Sequence, residues 1–402
     1  MNILCVASFF KGADFLREAR ERGARVLLLT KERTLAEGWP REALEDLTAL
    51  PNGATTDLFI QAVTHAARRV QLDRLVALEE FDVVNTALAR EHLQLPGMTA
   101  TTARRFRDKL AMRVAASRAS LRVPDFVRLV NYQEVGEFME RVPPPWVLKP
   151  RSDVSAIGIR KLEDSEQVWR AMDELDERAA AHERSSFYLL ERYVPGEVFH
   201  VDSMVERGRI TFAGASRYGR PPMDVSHVGG VFTSHTVEYD TAEHKQLLKM
   251  NAKLIKALGL ESGATHAEFI RGRDDGQLYF LEVAARVGGA FIAELQEAAT
   301  GVNLWREWAR VELAGGERPE DERPAPRRDY GGIALSLARQ EWPDTSGYDD
   351  PEIFFRVRKA HHVGLVVSSP SLARVRELLD GYAARFATDF AAVAPPLDRV
   401  PL

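Results

Sequence analysis

Residues 264–286 read ATHAEFIRGRDDGQLYFLEVAAR, and this stretch decides the fold. Two strand-like runs, 264–270 and 278–286, flank RGRDDGQ, whose Asp275-Gly276 pair is a hairpin signal because glycine accepts a positive φ. A hairpin centred on residue 275 sets Arg271 against Tyr279 and Glu268 against Glu282. Side chains alternate along a strand. His266, Glu268 and Ile270 then share one face, and Phe280, Glu282, Ala284 and Arg286 share one face of the partner strand. Two carboxylates directly opposite each other repel. A hard divalent cation, which takes carboxylate and phosphate oxygens, removes the conflict. Glu268 and Glu282 are therefore candidate metal ligands. A slipped register, or neutralisation by Arg286 and His266, is the purely structural alternative.

Two upstream segments add candidates. Trp146–Pro150 (WVLKP) ends a strand on Lys149 and runs into RSDVSAIG, so a point charge and a set of backbone N–H groups adjoin. Phe187–Glu197 (FYLLERYVPGE) places Glu191 after an apolar strand and Glu197 after a Pro-Gly turn. Taken singly, a surface lysine and solvated turn acids are the better readings of these residues.

Together the segments resemble the ATP-grasp superfamily, in which two α+β lobes hold ATP between them. The resemblance rests on RDK at 107–109, VLKP at 147–150, ERYVPGE at 191–197, AEF at 267–269 and EVAARVGG at 282–289, and it spans nearly the whole chain. It implies that Lys109 and Lys149 contact ATP phosphates. Glu191 would meet the adenine amino group beside the Arg192–Val194 backbone, and Glu197 the ribose hydroxyls. Glu268 and Glu282 would hold magnesium, two ions in all with manganese as a substitute. Arg286 would orient an acid substrate and stabilise the transferring phosphoryl group.

Two departures stand out. Superfamily members often carry asparagine two residues after the second metal glutamate, where this chain has Ala284, with His266 opposite as a replacement candidate. The phosphate loop has a single glycine, Gly158. The form E-x-x-A-R-x-G-G, with HHVGLVVSS at 361–369, resembles the amino-acid and dipeptide ligases, the carboxylate–amine branch. That branch implies phosphorylation of a small-molecule carboxylate and its capture by a small-molecule amine. Ser216–His235 fits a mobile loop over the substrate pocket, with His227 as a base or substrate contact. His200 and Asp202, two apart on one strand face, read as structural or as supports behind the site residues. A carboxylase-type or formate-using ATP-grasp enzyme, or a non-catalytic ATP-binding module, remains open on these residues.

The expected fold class combines α/β and α+β. An N-terminal parallel α/β domain (1–100) precedes linking helices and a small ATP-grasp lobe (101–190). A large lobe with the metal site (191–320) and a C-terminal α/β subdomain (321–402) follow. Short apolar strands alternate with helices in the first hundred residues, as a parallel sheet requires. A helix is expected over Thr102–Ser120, and Leu247–Leu258 carries a helical stripe with Asp240 and Glu243 as its capping box. Gly315–Arg328 reads as a linker.

With 402 residues the chain is too long for one core. A net charge of -5 gives no electrostatic case for nucleic acid. No G-x-G-x-x-G follows the first strand, and no P-loop or G-x-S-x-G elbow occurs. Cys5 is the single cysteine, which excludes an intrachain disulfide and suits a reducing compartment. No apolar window is long enough to span a bilayer and no leader pattern is evident, so cytoplasm is expected. A homodimer through a terminal domain is an open expectation.

Overall fold

In a computed structural model, which describes residues 1–153, 157–221, 223, 230–314 and 325–392, the chain builds three sheets. The first is parallel, in the order β3-β2-β1-β4, from β1 (Asn2–Ala7), β2 (Arg25–Lys31), β3 (Asp46–Leu50) and β4 (Arg74–Ala77). Its apolar runs are covered on both faces. Ile3, Cys5, Val26 and Leu28 pack with Phe15 and Leu16 of one helix and Trp308 of another, while Leu4, Val6, Leu27 and Leu29 pack on Phe59 and Val63. Burial on both faces is what makes these strands continuously apolar. Edge strand β3 has no such run; of DLTAL, only Leu50 is buried, which hides it from a hydropathy reading.

The second sheet is antiparallel: β5 (Phe126–Arg128), β6 (Trp146–Pro150), β7 (Arg160–Leu162) and β8 (Tyr188–Arg192), in the order β5-β8-β6-β7. The third has eight strands: β9 (Gly196–Glu206), β10 (Arg209–Tyr218), β11 (Phe232–Thr236), β12 (Gly263–Gly272), β13 (Leu278–Ala284), β14 (Tyr330–Leu337), β15 (Ile353–Arg356) and β16 (His362–Ser369). Their order is β13-β12-β9-β10-β11-β14-β16-β15. The helix Ala242–Leu258 seats Leu247, Leu254, Ile255 and Leu258 against Phe199, Phe269 and Phe280 on one face of this sheet.

Three sequence expectations need correction. Strands after 321 form no sheet of their own, because β14 bonds directly to β11 and extends the large sheet. The stretch 102–120 is not one helix; Ala100–Arg104 stops, and Asp108 caps a new helix, Lys109–Arg118, by accepting from the Leu110 and Ala111 N–H groups. The capping residue of Ala242–Leu258 is Thr241, which accepts from the His244 N–H, whereas Asp240 lies outside at φ 62° and pairs with Arg328. Residues 315–324 of the expected linker lie outside the described residues.

Helix Ile292–Thr300 carries Glu294, whose carboxyl burial pushes up to about 7, Asp14 and Glu297 adding to the effect against its own backbone N–H. A carboxyl raised on folding binds its proton more tightly when folded. Its favourable contribution is therefore present below the ordinary carboxylate range and decays as pH rises through 7. Glu294→Gln should gain about 1–3 kcal/mol at pH 8 and little at pH 4.5, read from denaturation curves at both. Equal gains at the two values would mean the ionisation is irrelevant.

Candidate active site

The hairpin β12–β13 brings Glu268 opposite Glu282 by a route the turn alone does not produce. Near the turn Arg271 pairs with Leu278 and Ile270 with Tyr279, one residue off the expected register. A β-bulge between Glu268 and Phe269 on one strand, matched by Leu281 on the other, then restores Glu268↔Glu282 and His266↔Ala284. The bulge also corrects the expected face. Phe280 points into the core with Phe269, whereas Leu281 and Glu282 both face the pocket. A bulge that re-aims a side chain beside a site is a familiar device.

Around this pair the pocket is lined by Lys109, Lys149, Glu191, Tyr218, His266 and Arg286. Lys109, placed by the Asp108 cap, donates from Nζ to the Asp153 carbonyl (2.7 Å) and pairs with Glu282 Oε2 (3.1 Å). Burial opposes ionisation of Glu282, but Lys109 and then Lys149 hold it down to about 2. Glu268 accepts from the Tyr218 hydroxyl (2.7 Å), with His266 Nε2 at 3.5 Å from the same oxygen. Burial and the Glu268 charge push the Tyr218 phenol well above its ordinary range.

Behind them Asp202 Oδ1 accepts from His266 Nδ1 (2.8 Å) and Asp202 Oδ2 from His200 Nδ1 (2.6 Å). These three buried residues form a cluster of metal-ligand type. Because Asp202 takes both ring N–H groups, it fixes the orientation of the rings, and His266 turns its other nitrogen toward Glu268.

Lys149 and Glu191 stand at the ends of adjacent strands β6 and β8. Glu191 is 1% exposed and lies between two cations: Arg113, 0% exposed, donates from Nε (2.5 Å) and Nη2 (3.2 Å), and Lys149 pairs with Oε2. Burial alone would raise the Glu191 carboxyl, and Arg113 and Lys149 reverse that. Burial also lowers Lys149, against the pull of Glu191. Arg192 and Val194 line the pocket where the chain crosses from the second sheet to the third.

Glu197 is not part of the site. Gly196 and Val198 face the pocket, so strand alternation turns Glu197 to the other side, where it is exposed and paired with Arg217 (2.5 Å). His227 lies outside the described residues. Arg286 does line the pocket, but its Nε and Nη2 donate to Glu80 Oε2 (3.2 and 2.8 Å) and its Nη1 to the Val287 carbonyl (2.9 Å). Glu80, Glu79 and Lys11 of the N-terminal sheet region, with Arg113, went unnoticed in the sequence, whereas Tyr218 falls in the Ser216–His235 stretch expected over the pocket, though as the last residue of β10 rather than in a loop. Two signals were available: Arg113 lies four residues after Lys109 on one helix face, and Glu79-Glu80 follows β4 at the carboxyl end of a parallel sheet.

The donor set fits a divalent cation: two pocket-facing carboxylates, one held ionised, with cations nearby for phosphate oxygens. Ala284 supplies no third side-chain donor.

A three-sheet molecule with this cleft has the ATP-grasp fold, and the comparisons agree. Residues 142–294 match the ATP-grasp domain family, so the chain carries an ATP-grasp domain. It is similar to the L-arginine-specific L-amino acid ligase of Bacillus subtilis, 23% identical over 245 residues, which is 60% of this chain and 58% of that protein. It is also similar to alanine–anticapsin ligase of Bacillus subtilis, 24% identical over 249 residues, 57% of this chain and 52% of that one. The match thus spans little more than half the length of these curated relatives. Among solved structures, L-amino acid ligase from Bacillus licheniformis superposes with a TM-score of 0.75 at 18% identity, covering 98% of both chains. The biotin carboxylase domain of Hydrogenobacter thermophilus 2-oxoglutarate carboxylase, solved with magnesium ADP, gives 0.72 at 16% identity over 96% of this chain and 89% of that one.

Proposed function

We propose that this chain is an ATP-dependent carboxylate–amine ligase, joining a small-molecule acid to a small-molecule amine through an acyl phosphate and releasing ADP and phosphate. The observation that carries the reading is Glu268 and Glu282 in register within one pocket that also holds Lys109, Lys149 and Arg286. The names of the curated relatives support an amino acid among the substrates.

Magnesium on Glu268 and Glu282, two ions with manganese able to substitute, would neutralise charge on the phosphoryl oxygens being transferred. Lys109 and Lys149 add point charges for those oxygens, and Tyr218 and Asp202–His266 keep Glu268 aimed. Glu191 holds Lys149. Each carboxylate oxygen carries two lone pairs, so Glu191 also retains capacity for an adenine amino donor beside Arg192–Val194.

The substrate carboxylate oxygen attacks the γ-phosphorus and ADP departs with the bond electrons. The amine nitrogen then attacks the acyl carbon, the C–O bond to phosphate breaks, phosphate leaves, and the nitrogen gives up its proton. Arg286 and the N–H groups near Gly288-Gly289 stand beside the tetrahedral oxyanion. His227 is kept as an amine-side contact, and the cytoplasm as the compartment.

A matrix of acids and amines assayed for ADP, with mass spectrometry of products, tests the proposal. ADP release that requires an acid and rises with an amine supports it. ATP binding with no substrate-stimulated ADP release would replace it by a non-catalytic module. Glu197→Ala should leave the KM for ATP within about twofold, since that carboxylate faces away from the pocket. A tenfold rise would return it to the ribose.

A further inference from the structure

A second cavity lies between the N-terminal sheet and the large sheet, and the chemistry above does not use it. Its volume is about 670 Å³, and it shares no lining residue with the pocket of Glu268 and Glu282. Its walls include Ala77 of β4, Arg90 of the helix Val83–Leu93, Ala264 of β12 and Glu312 of the helix Leu304–Leu313.

Two of these side chains carry opposite charges, and neither charge has a partner. Arg90 is 9% exposed, yet among the described residues no carboxylate lies within 4.0 Å of its guanidinium. Its Nε donates to the Leu75 carbonyl (2.7 Å) and its Nη1 to the Met98 carbonyl (3.3 Å), so N–H groups on Nη1 and Nη2 remain. Burial lowers the guanidinium below its ordinary range, and Glu312 acts against that from further off. Gly97, at φ 133°, lies against this side chain; a Cβ there would stand 3.0 Å from Arg90 Cδ, so glycine keeps the arginine in place. Glu312 is half-buried. Its Oε1 accepts from Trp308 Nε1 (3.0 Å), and among the described residues no cation lies within 4.0 Å of its carboxylate. A charge withdrawn from water is costly unless an opposite charge pairs with it. Arg90 and Glu312 are too far apart to pair with each other, and a ligand bearing both signs satisfies both.

We propose that this cavity is a second ligand site that binds a free amino acid, with its carboxylate on Arg90 and its ammonium group on Glu312. Arg74 and Arg207 also line the cavity without a carboxylate within 4.0 Å among the described residues, and they strengthen its pull on the anionic end. Val83, Met98 and Val311 give the ligand's side chain an apolar wall. An occupant touches Ala77 and Ala285, and Ala285 directly precedes Arg286 of the main pocket. The site is independent of the ligase reading above.

Isothermal titration of the intact protein without ATP, using each proteinogenic amino acid in turn, tests this. At least one should bind with a Kd below about 1 mM. Its decarboxylated amine and its deamino acid should each bind at least about 30-fold more weakly, because each leaves one protein charge unpaired. Arg90→Met and Glu312→Gln should each weaken binding of the amino acid by at least about 30-fold as well. Glu312→Gln keeps an acceptor for Trp308 and covers the case in which Arg90→Met does not fold. Arg286→Ala should leave the Kd within about twofold, since that side chain lines only the other pocket. No amino acid binding at about 10 mM overturns the inference. So does binding that survives both Arg90→Met and Glu312→Gln, and so does binding that Arg286→Ala abolishes while Arg90→Met keeps it. ADP release enters none of these measurements, so the ligase reading stands or falls separately.

Discussion

Glu282→Gln is expected to lower acid-dependent ADP release by about a thousandfold while leaving the fold intact. The substitution keeps shape and removes one charge from the carboxylate that Lys109 and Lys149 hold ionised. Removing one group that stabilises charge in the transition state typically costs about 3–4 kcal/mol, or two to three decades in rate. The structural loss should be small. Lys109 keeps its bond to the Asp153 carbonyl, and the β12–β13 ladder is backbone. Arg286→Ala should act similarly on turnover. A folded Glu282→Gln protein with wild-type turnover would remove Glu282 from the metal site.

Arg113→Met should be the most destabilising single change at the site, by about 3–5 kcal/mol, because it strips a buried carboxylate of its main partner. Arg113 is fully buried, forks onto Glu191 and stacks over Phe280 at 5.4 Å, so one side chain ties the helix Lys109–Arg118 to two sheets. Methionine retains the volume, which isolates the charge. Arg113→Met combined with Glu191→Gln should recover much of the loss, since the orphaned anion is gone. Urea denaturation of the three proteins checks this. A single mutant within about 0.5 kcal/mol of wild type would show that Lys149 alone satisfies Glu191.

The carboxylate pair was legible because turn chemistry and strand period both act over a few residues. Even so, the agreement hides two departures: pairing next to the turn is one residue off the expected register, and the bulge at Leu281 both recovers the register and turns Glu282 away from the side Phe280 occupies. Hydropathy does not mark a bulge when the flanking residues are Leu and Val. Glu197 failed for a related reason. Pro195-Gly196 reads as a turn, yet β9 starts at Gly196, and an acid one position into a strand faces opposite to its neighbours. The first sheet was legible wherever burial on both faces forces an apolar run, and not at β3, where it does not. Glu80 was beyond reach because its meeting with Arg286 spans 206 positions and depends on how the N-terminal domain packs.

Continuity between β11 and β14 bears on how such a chain diversifies. Helix Ile292–Thr300, which follows Gly288-Gly289, buries Leu295 and Ala298 against Ile333 of β14 and Val366 of β16. The last strands are thus not an appendage that recombination can exchange freely. A graft replacing everything past the Gly315–Arg328 segment must reproduce a hydrogen-bonding edge for Phe232–Thr236 and an apolar bed for that helix, or the pocket loses its footing. Swaps of the first hundred residues face a comparable demand, because the incoming segment must reproduce the apolar surface that Ile3, Phe15 and Leu16 present to Leu304 and Trp308. New substrate preferences should therefore arise by changes within the existing framework rather than by exchange of either end of the polypeptide.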